Sequence, residues 1–244
     1  MALSRIGTDP RIDLRIKAAW GEIEVPRGKD YRSREEILAE ASSPEARAGQ
    51  EAANRWRETF DNEDVAPSAG LAVVVHSFAS SPDGNTIKVR YVRPDSEELL
   101  PCVTYFHGGG MMAGSCFDGN FRAWAKIIAR QGVAVAMVDF RNSVYPSSAP
   151  EVAPYPARLN DCVSGVKWVA ASAPLLRVDP KRIIVAGDSG GGCLSIAMAL
   201  RLAREGALGP ISGLYALCPG VGGPSPSPEY PSSTTNNDSS LNKS

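Results

Sequence analysis

Residues 187–191 read Gly187-Asp188-Ser189-Gly190-Gly191. A mostly apolar run, Arg182-Ile183-Ile184-Val185-Ala186, leads in, and a long apolar stretch, Cys193 to Arg204, leads out. The first pattern predicts a buried strand and the second a buried helix. Joining the two within five residues demands a turn too tight for bulky flanks, and glycine supplies it on both sides of a serine. A strand–turn–helix of this kind lifts a hydroxyl beyond the end of a sheet and aims a helix N-terminus at it.

The rest of the chain supplies a sheet to carry such a corner. Leu71–Phe78 and Ile87–Arg93 read as strands, separated by the hairpin signal Pro82-Asp83-Gly84-Asn85. Val103–Phe106 is a short buried strand that runs into His107-Gly108-Gly109-Gly110. Phe121, Trp124, Ile127 and Ile128 form a helical stripe, Val133–Phe140 a strand, and Leu159, Cys162, Val163, Val166 and Val169 a second helical stripe. Ile211–Cys218 is one more strand. This alternation predicts an α/β fold: a mostly parallel sheet with an antiparallel first hairpin and right-handed crossovers.

Residues 1–65 lack β-branched runs. Ser33-Arg34-Glu35-Glu36 is a capping box and Ser43-Pro44 a second helix start; Ala48, Ala52, Trp56 and Phe60 follow at helical spacing. The segment reads as a small helical cap, residues 66–219 as the α/β domain, and residues 220–244, rich in Pro, Gly, Ser, Thr and Asn, as a low-complexity tail disordered in isolation.

Composition narrows the class of partner. A hydrophobic fraction of 43% and a charged fraction of 22% are those of an ordinary globular protein. The net charge of −1 favours neither nucleic acid nor an anionic membrane. The longest apolar runs, such as Val133–Val138, are too short to span a bilayer. The N-terminal residues mix charges with apolar groups, unlike a secretory signal. The cysteines, Cys102, Cys116, Cys162, Cys193 and Cys218, are scattered and form no C-x-x-C pair, which reads as reduced thiols in a cytoplasmic protein. The histidines are His76 and His107, and neither has ligand spacing to a cysteine pair, so no metal is expected.

The chemistry these residues point to is acyl transfer. Ser189 is the candidate nucleophile. Attack on an ester carbonyl creates an oxyanion that needs converging N–H donors, and three glycines let a backbone approach that oxygen without side-chain clash. The expected donors are the N–H groups of Gly108, Gly109 and Gly190. His107 opens the glycine bend and is expected to support it through ring hydrogen bonds rather than act as base, since the usual chain order in this fold is serine, acid, histidine. His76, on a predicted strand, reads as structural. Gly-Asp-Ser-Gly-Gly also resembles the serine run of trypsin-like proteases. There a proline usually follows, whereas here Gly192 follows and a helix begins.

These motifs together resemble the hormone-sensitive-lipase-type branch of the α/β-hydrolases. The resemblance rests on His107-Gly108-Gly109-Gly110, Val138-Asp139-Phe140-Arg141, Tyr155-Pro156-Ala157-Arg158-Leu159-Asn160-Asp161-Cys162, and Asp179-Pro180-Lys181-Arg182-Ile183 leading into the Ser189 turn. It covers roughly residues 71–219. It implies a serine carboxylesterase or lipase-like hydrolase acting on short- to medium-chain acyl esters, with an N-terminal helical cap and no cofactor. It also implies a triad acid and histidine on later strands. No histidine follows Ser189, and the later acidic residues are Glu205, Glu229 and Asp238. The expectation is therefore a C-terminally truncated member with its last strands missing and its activity impaired. The alternative is a non-catalytic, small-ligand-binding or inactive member of the same fold. Ile211–Cys218 would then be an exposed sheet edge, inviting self-association.

Overall fold

The computed structural model describes residues 5–22 and 31–221. The chain divides into two compact units, residues 38–220 and residues 1–37 with 221–244. In the second unit, a single 3-10 turn (Arg5–Gly7) precedes helix α1 (Leu14–Trp20), whose N-cap Asp13 accepts the N–H of Arg15. Helix α2 (Arg34–Ala41) starts where the capping box predicts: the Ser33 hydroxyl accepts the Glu36 N–H, and the Glu36 carboxylate accepts the N–H of Arg32. The expected low-complexity tail, with Glu229 and Asp238, lies outside the described residues beyond position 221.

The larger unit begins at Leu38, within α2, and continues with helix α3 (Pro44–Glu58), capped by Ser43 with proline in the first turn. Six strands follow: β1 (Leu71–Ala79), β2 (Thr86–Pro94), β3 (Leu100–Phe106), β4 (Ala134–Val138), β5 (Val178–Asp188) and β6 (Gly213–Leu217). They form one sheet in the order β1-β2-β4-β3-β5-β6. Strand β2 is antiparallel to both neighbours, and β4, β3, β5 and β6 are parallel. Helix α4 (Gly119–Ala129) crosses from β3 to β4. Helices α5 (Ala157–Ala171) and α6 (Ala173–Leu176) lead from β4 to β5, and α7 (Gly190–Arg204) from β5 to β6.

The helices cover the two sheet faces with separate cores. On one, Ile87, Val89, Phe106 and Val138 pack with Cys162 and Val166 of α5 and Met198 and Leu202 of α7. On the other, Val92, Tyr105, Val135 and Met137 pack with Ala125 and Ala129 of α4. Central strands buried on both faces read as continuous apolar runs, and for this reason β4 is legible as an unbroken stretch.

Two differences from the sequence reading have local causes. Strand β5 begins at Val178 because Leu100 of β3 pairs there before a register shift, so the ladder reaches past the polar stretch Asp179-Pro180-Lys181. The four-residue α6 carries too short a pattern to be read from periodicity.

Residues 38–65 fall in the sheet-bearing unit. The α3 end and the segment after it are tied to α4: Arg122 pairs with Glu58 at 2.7 Å and Asp61 at 2.6 Å, and Lys126 with Asp61 at 2.7 Å. Gly119 lets the helices touch, since a Cβ there would lie 2.4 Å from the Arg57 carbonyl oxygen. A buried network fixes the other end of the sheet. Asp161, fully buried at the start of α5, accepts from Ser80, from the Arg141 N–H and from the Arg141 guanidinium, which also reaches Asp83 in the β1–β2 turn.

Candidate active site

Strand β5 ends at Asp188 and α7 starts at Gly190, leaving Ser189 as the single residue of the corner. Its backbone sits at φ 50°, ψ −116°, a conformation that costs a non-glycine residue about 1–3 kcal/mol and that its surroundings must enforce. They do so by backbone contact. The Ser189 N–H donates to the Leu217 carbonyl of β6 at 2.8 Å. A Cβ on Gly187 would lie 2.5 Å from the Gly191 carbonyl, and one on Gly191 would overlap the Phe106 carbonyl oxygen and lie 2.6 Å from that of His107. The glycines flanking the serine are thus required by the strand and loop packed against them.

The triglycine bend leaves the end of β3, next to β5, and folds against this corner. A Cβ on Gly190 would lie 2.7 Å from the backbone nitrogen of Met111 and 3.1 Å from that of Gly110. Gly109 and Gly110 take φ values of +122° and +62°, open to glycine. The bend is closed by Met112 and Ala113, whose N–H groups both donate to the Gly109 carbonyl.

The N–H groups around the corner divide into two kinds. Gly108 N–H donates to Asp188 Oδ1 at 2.9 Å, and the same oxygen accepts the Tyr105 hydroxyl, also at 2.9 Å. The expected donor Gly108 is thus already bound to a carboxylate. The N–H groups of Gly109, Gly110 and Gly190 donate to no protein acceptor among the described residues. Burial, with the Asp188 carboxylate beside it, pushes the Tyr105 hydroxyl far above the usual tyrosine range, so it stays a donor to Asp188 at every ordinary pH.

His107 is buried behind the bend. Its Nδ1–H donates to the Gly108 carbonyl at 2.8 Å, its ring stacks on Phe140 at 4.2 Å, and its Nε2 lies 4.0 Å from Asp139 Oδ1. Asp139, also fully buried, accepts the Ser115 hydroxyl and the Cys116 N–H on one oxygen and the Ser148 N–H on the other. It fixes the loop that follows the bend. His76 stands on β1, the far edge strand, against Tyr91 and Trp168.

Asp188, Tyr105 and Asp139 are the residues whose parts in the site the sequence did not reveal. Asp188 occupies the variable position of the turn motif, and Tyr105 reads only as a strand residue. Their convergence is a product of β3 and β5 being sheet neighbours. Among the described residues, no group of three or more His, Cys, Asp or Glu gathers as a metal site, and no helix is long and apolar enough to cross a membrane. All five cysteines are free thiols.

Comparison with known proteins agrees with the fold. A family model described as the alpha/beta hydrolase fold matches residues 103–244. Carboxylesterase NlhH of Mycobacterium tuberculosis is 42% identical over 125 residues, which are 50% of this chain and 36% of that protein. Hormone-sensitive lipase of Mus musculus is 32% identical over 148 residues, 60% of this chain and 18% of that one. The chain therefore spans about a third or less of these two curated relatives. The solved structure of esterase Est22 superposes with a TM-score of 0.90 at 57% identity, covering 96% of this chain and 68% of that one. By family model, by identity and by superposed fold, the chain belongs to the alpha/beta hydrolase family, in its hormone-sensitive-lipase-type branch.

Proposed function

We propose that these residues carry the nucleophile and the oxyanion-binding groups of a carboxylic ester hydrolase for short- to medium-chain acyl esters. The observation that carries this reading is the packing of the Gly190 backbone against Gly110 and Met111, beside a serine held at φ 50°. In this mechanism Ser189 Oγ attacks the ester carbonyl carbon. The carbonyl oxygen gains charge where the N–H groups of Gly109, Gly110 and Gly190 converge, and the alcohol departs to leave an acyl-serine. Preorganised donors of this kind cost no reorganisation when the charge appears. Similarity to NlhH and Est22, a carboxylesterase and an esterase by name, supports the reaction class.

A serine hydroxyl also needs a base to take its proton. The histidines of the 244 residues are His76 and His107. The first lies at the opposite sheet edge from β6, and the second has Nδ1 bound to Gly108 and Nε2 turned toward Asp139. Within this polypeptide, acylation is slow and deacylation slower, so an acyl group once transferred stays on Ser189. That neither histidine reaches Ser189 also favours a second reading, that these residues bind a small ligand without turnover. Incubation with p-nitrophenyl acetate followed by intact-mass and peptide mapping separates the two. A single acetyl on Ser189, missing in Ser189→Ala, supports the nucleophile; no acetyl on Ser189 sinks it. The uncovered β6 edge is the proposed place where copies of the polypeptide associate.

A further inference from the structure

A cavity of about 370 Å³ lies between α3, the start of β2 and the loops after β3 and β4. It falls within the about 300–1,000 Å³ range of small-molecule sites. Its lining includes neither Ser189 and Gly190 nor the glycines of the bend. Its charged lining residues are Lys88 and Asp118, one of each sign.

The open hydrogen-bonding capacity of the lining alternates. Lys88 makes no ion pair among the described residues, and its ammonium lies 6.0 Å from the centre of the Phe117 ring. Asn54 spends its oxygen on Gln50 and Arg57, which leaves its amide N–H groups to donate. Gln50 gives one amide N–H to Asn54, which leaves its second N–H to donate and its oxygen to accept. Asp118 accepts the Ser115 N–H on Oδ2, which leaves Oδ1 to accept. Burial pushes the Asp118 carboxyl up, against the pull of Arg57, so the group is short of partners for its charged form. Ser147 and Ser148 line the same cavity, and a serine hydroxyl both donates and accepts.

A carboxylate ligand would be met by Lys88 and Asn54 but repelled by Asp118 and the Gln50 oxygen. An ammonium would meet the reverse. Groups that donate and accept at once, without net charge, satisfy the whole lining, and the Phe117 ring offers an apolar face beside them. We propose that this cavity binds a neutral, polyhydroxylated small molecule of monosaccharide or cyclic-polyol size. Two wall residues, Ser115 and Ser148, also hold Asp139, and the adjoining Gly114 abuts His107 and the Gly108 carbonyl, so the occupied cavity presses on the loop behind the glycine bend.

Saturation-transfer NMR on the full chain with D-glucose and myo-inositol tests this, with titrations for affinity. Both are expected to receive saturation at millimolar concentration, while sodium acetate and ethylammonium chloride receive none. Lys88→Met is expected to weaken binding about tenfold and Gln50→Leu severalfold, each with an unchanged thermal midpoint. Ser189→Ala is expected to bind both as the wild type does, which separates this outcome from that of the acetylation experiment. No transfer to either polyol, equal affinity in both cavity variants, or stronger transfer to acetate or ethylammonium would overturn the proposal.

Discussion

Gly108 donates its backbone N–H to Asp188 Oδ1 at 2.9 Å, across the two strands that bring the glycine bend and the serine corner together. The bond does what neither segment does alone: it pins the first glycine of the bend so that Gly109 and Gly110 turn over Gly190. Because Oδ1 also accepts the Tyr105 hydroxyl, the carboxylate is itself held from β3.

Asp188→Ala removes an acceptor shared by two donors. The expected loss is about 1–3 kcal/mol of stability, because the Gly108 N–H and Tyr105 O–H are left without their partner. The acetylation rate of Ser189 should fall further than stability explains, since the bend is released. Tyr105→Phe keeps the Gly108 bond and should lose only about 1 kcal/mol. Denaturant melts alongside acetylation rates separate the two variants.

The glycines around the corner are not equivalent. A Cβ on Gly191 overlaps the Phe106 carbonyl oxygen, a backbone atom that has no rotamer to escape to. Gly191→Ala is expected to cost about 4 kcal/mol or more, in the range of severe single substitutions. Gly110 has nothing within 4 Å of that position, and only its φ of +62° opposes a side chain. Gly110→Ala should therefore cost about 1–2 kcal/mol, the left-handed penalty alone. Thermal melts of the two variants check the order.

Stability should fall at both ends of the pH scale, for opposite reasons. Burial pushes the Cys102 thiol and the Tyr91 hydroxyl up to about 12. In the unfolded chain they ionise near about 8.5 and 10. Above those values the unfolded state binds fewer protons than the folded one, so this contribution is complete below about 8.5 and is lost as pH rises toward about 12. Asp61 acts at the acid end. Burial pushes its carboxyl up, but the hydrogen bonds from Lys126 and Arg122 outweigh that and hold it below the usual range. Its contribution is present above about 4 and is lost as pH falls below that value. Chemical denaturation from acid to alkali should show both declines. Asp61→Asn should flatten the acid one.

Strand β6 presents Leu214, Tyr215 and Leu217 to solvent at 41%, 61% and 44% exposure, at the edge of the sheet formed by the described residues. Such an edge recruits another strand, and a lysine on it discourages pairing. Concentration-dependent association in sedimentation velocity is expected for the wild type and should weaken in Leu214→Lys.

The sequence made the sheet, the serine corner and the triglycine bend legible because each follows from local pattern: apolar runs of strand length, helical stripes, and glycines where bulk is excluded. The antiparallel placement of β2 between β1 and β4 was less so, since only the first hairpin carries a turn signal. The Gly108–Asp188 bond was hidden for a different reason. It joins residues 80 positions apart, and only the register of β3 against β5 brings them together. The proposal of Gly110 in place of Gly108 as a donor rests on that bond. The attachment of residues 38–65 to α4 was hidden likewise, because its ion pairs use charges that read as solvated when seen on one helix.

The central claim is a preorganised serine and oxyanion site without a base among these 244 residues. Steady-state hydrolysis of p-nitrophenyl acetate by the wild type and Ser189→Ala tests it most directly. The account predicts a steady-state rate about 10³–10⁴-fold over the uncatalysed reaction at most, the scale left by oxyanion donors and binding alone, and little change in it on Ser189→Ala. Turnover near an ordinary enzyme's ~10 s⁻¹ that Ser189→Ala abolishes would contradict it.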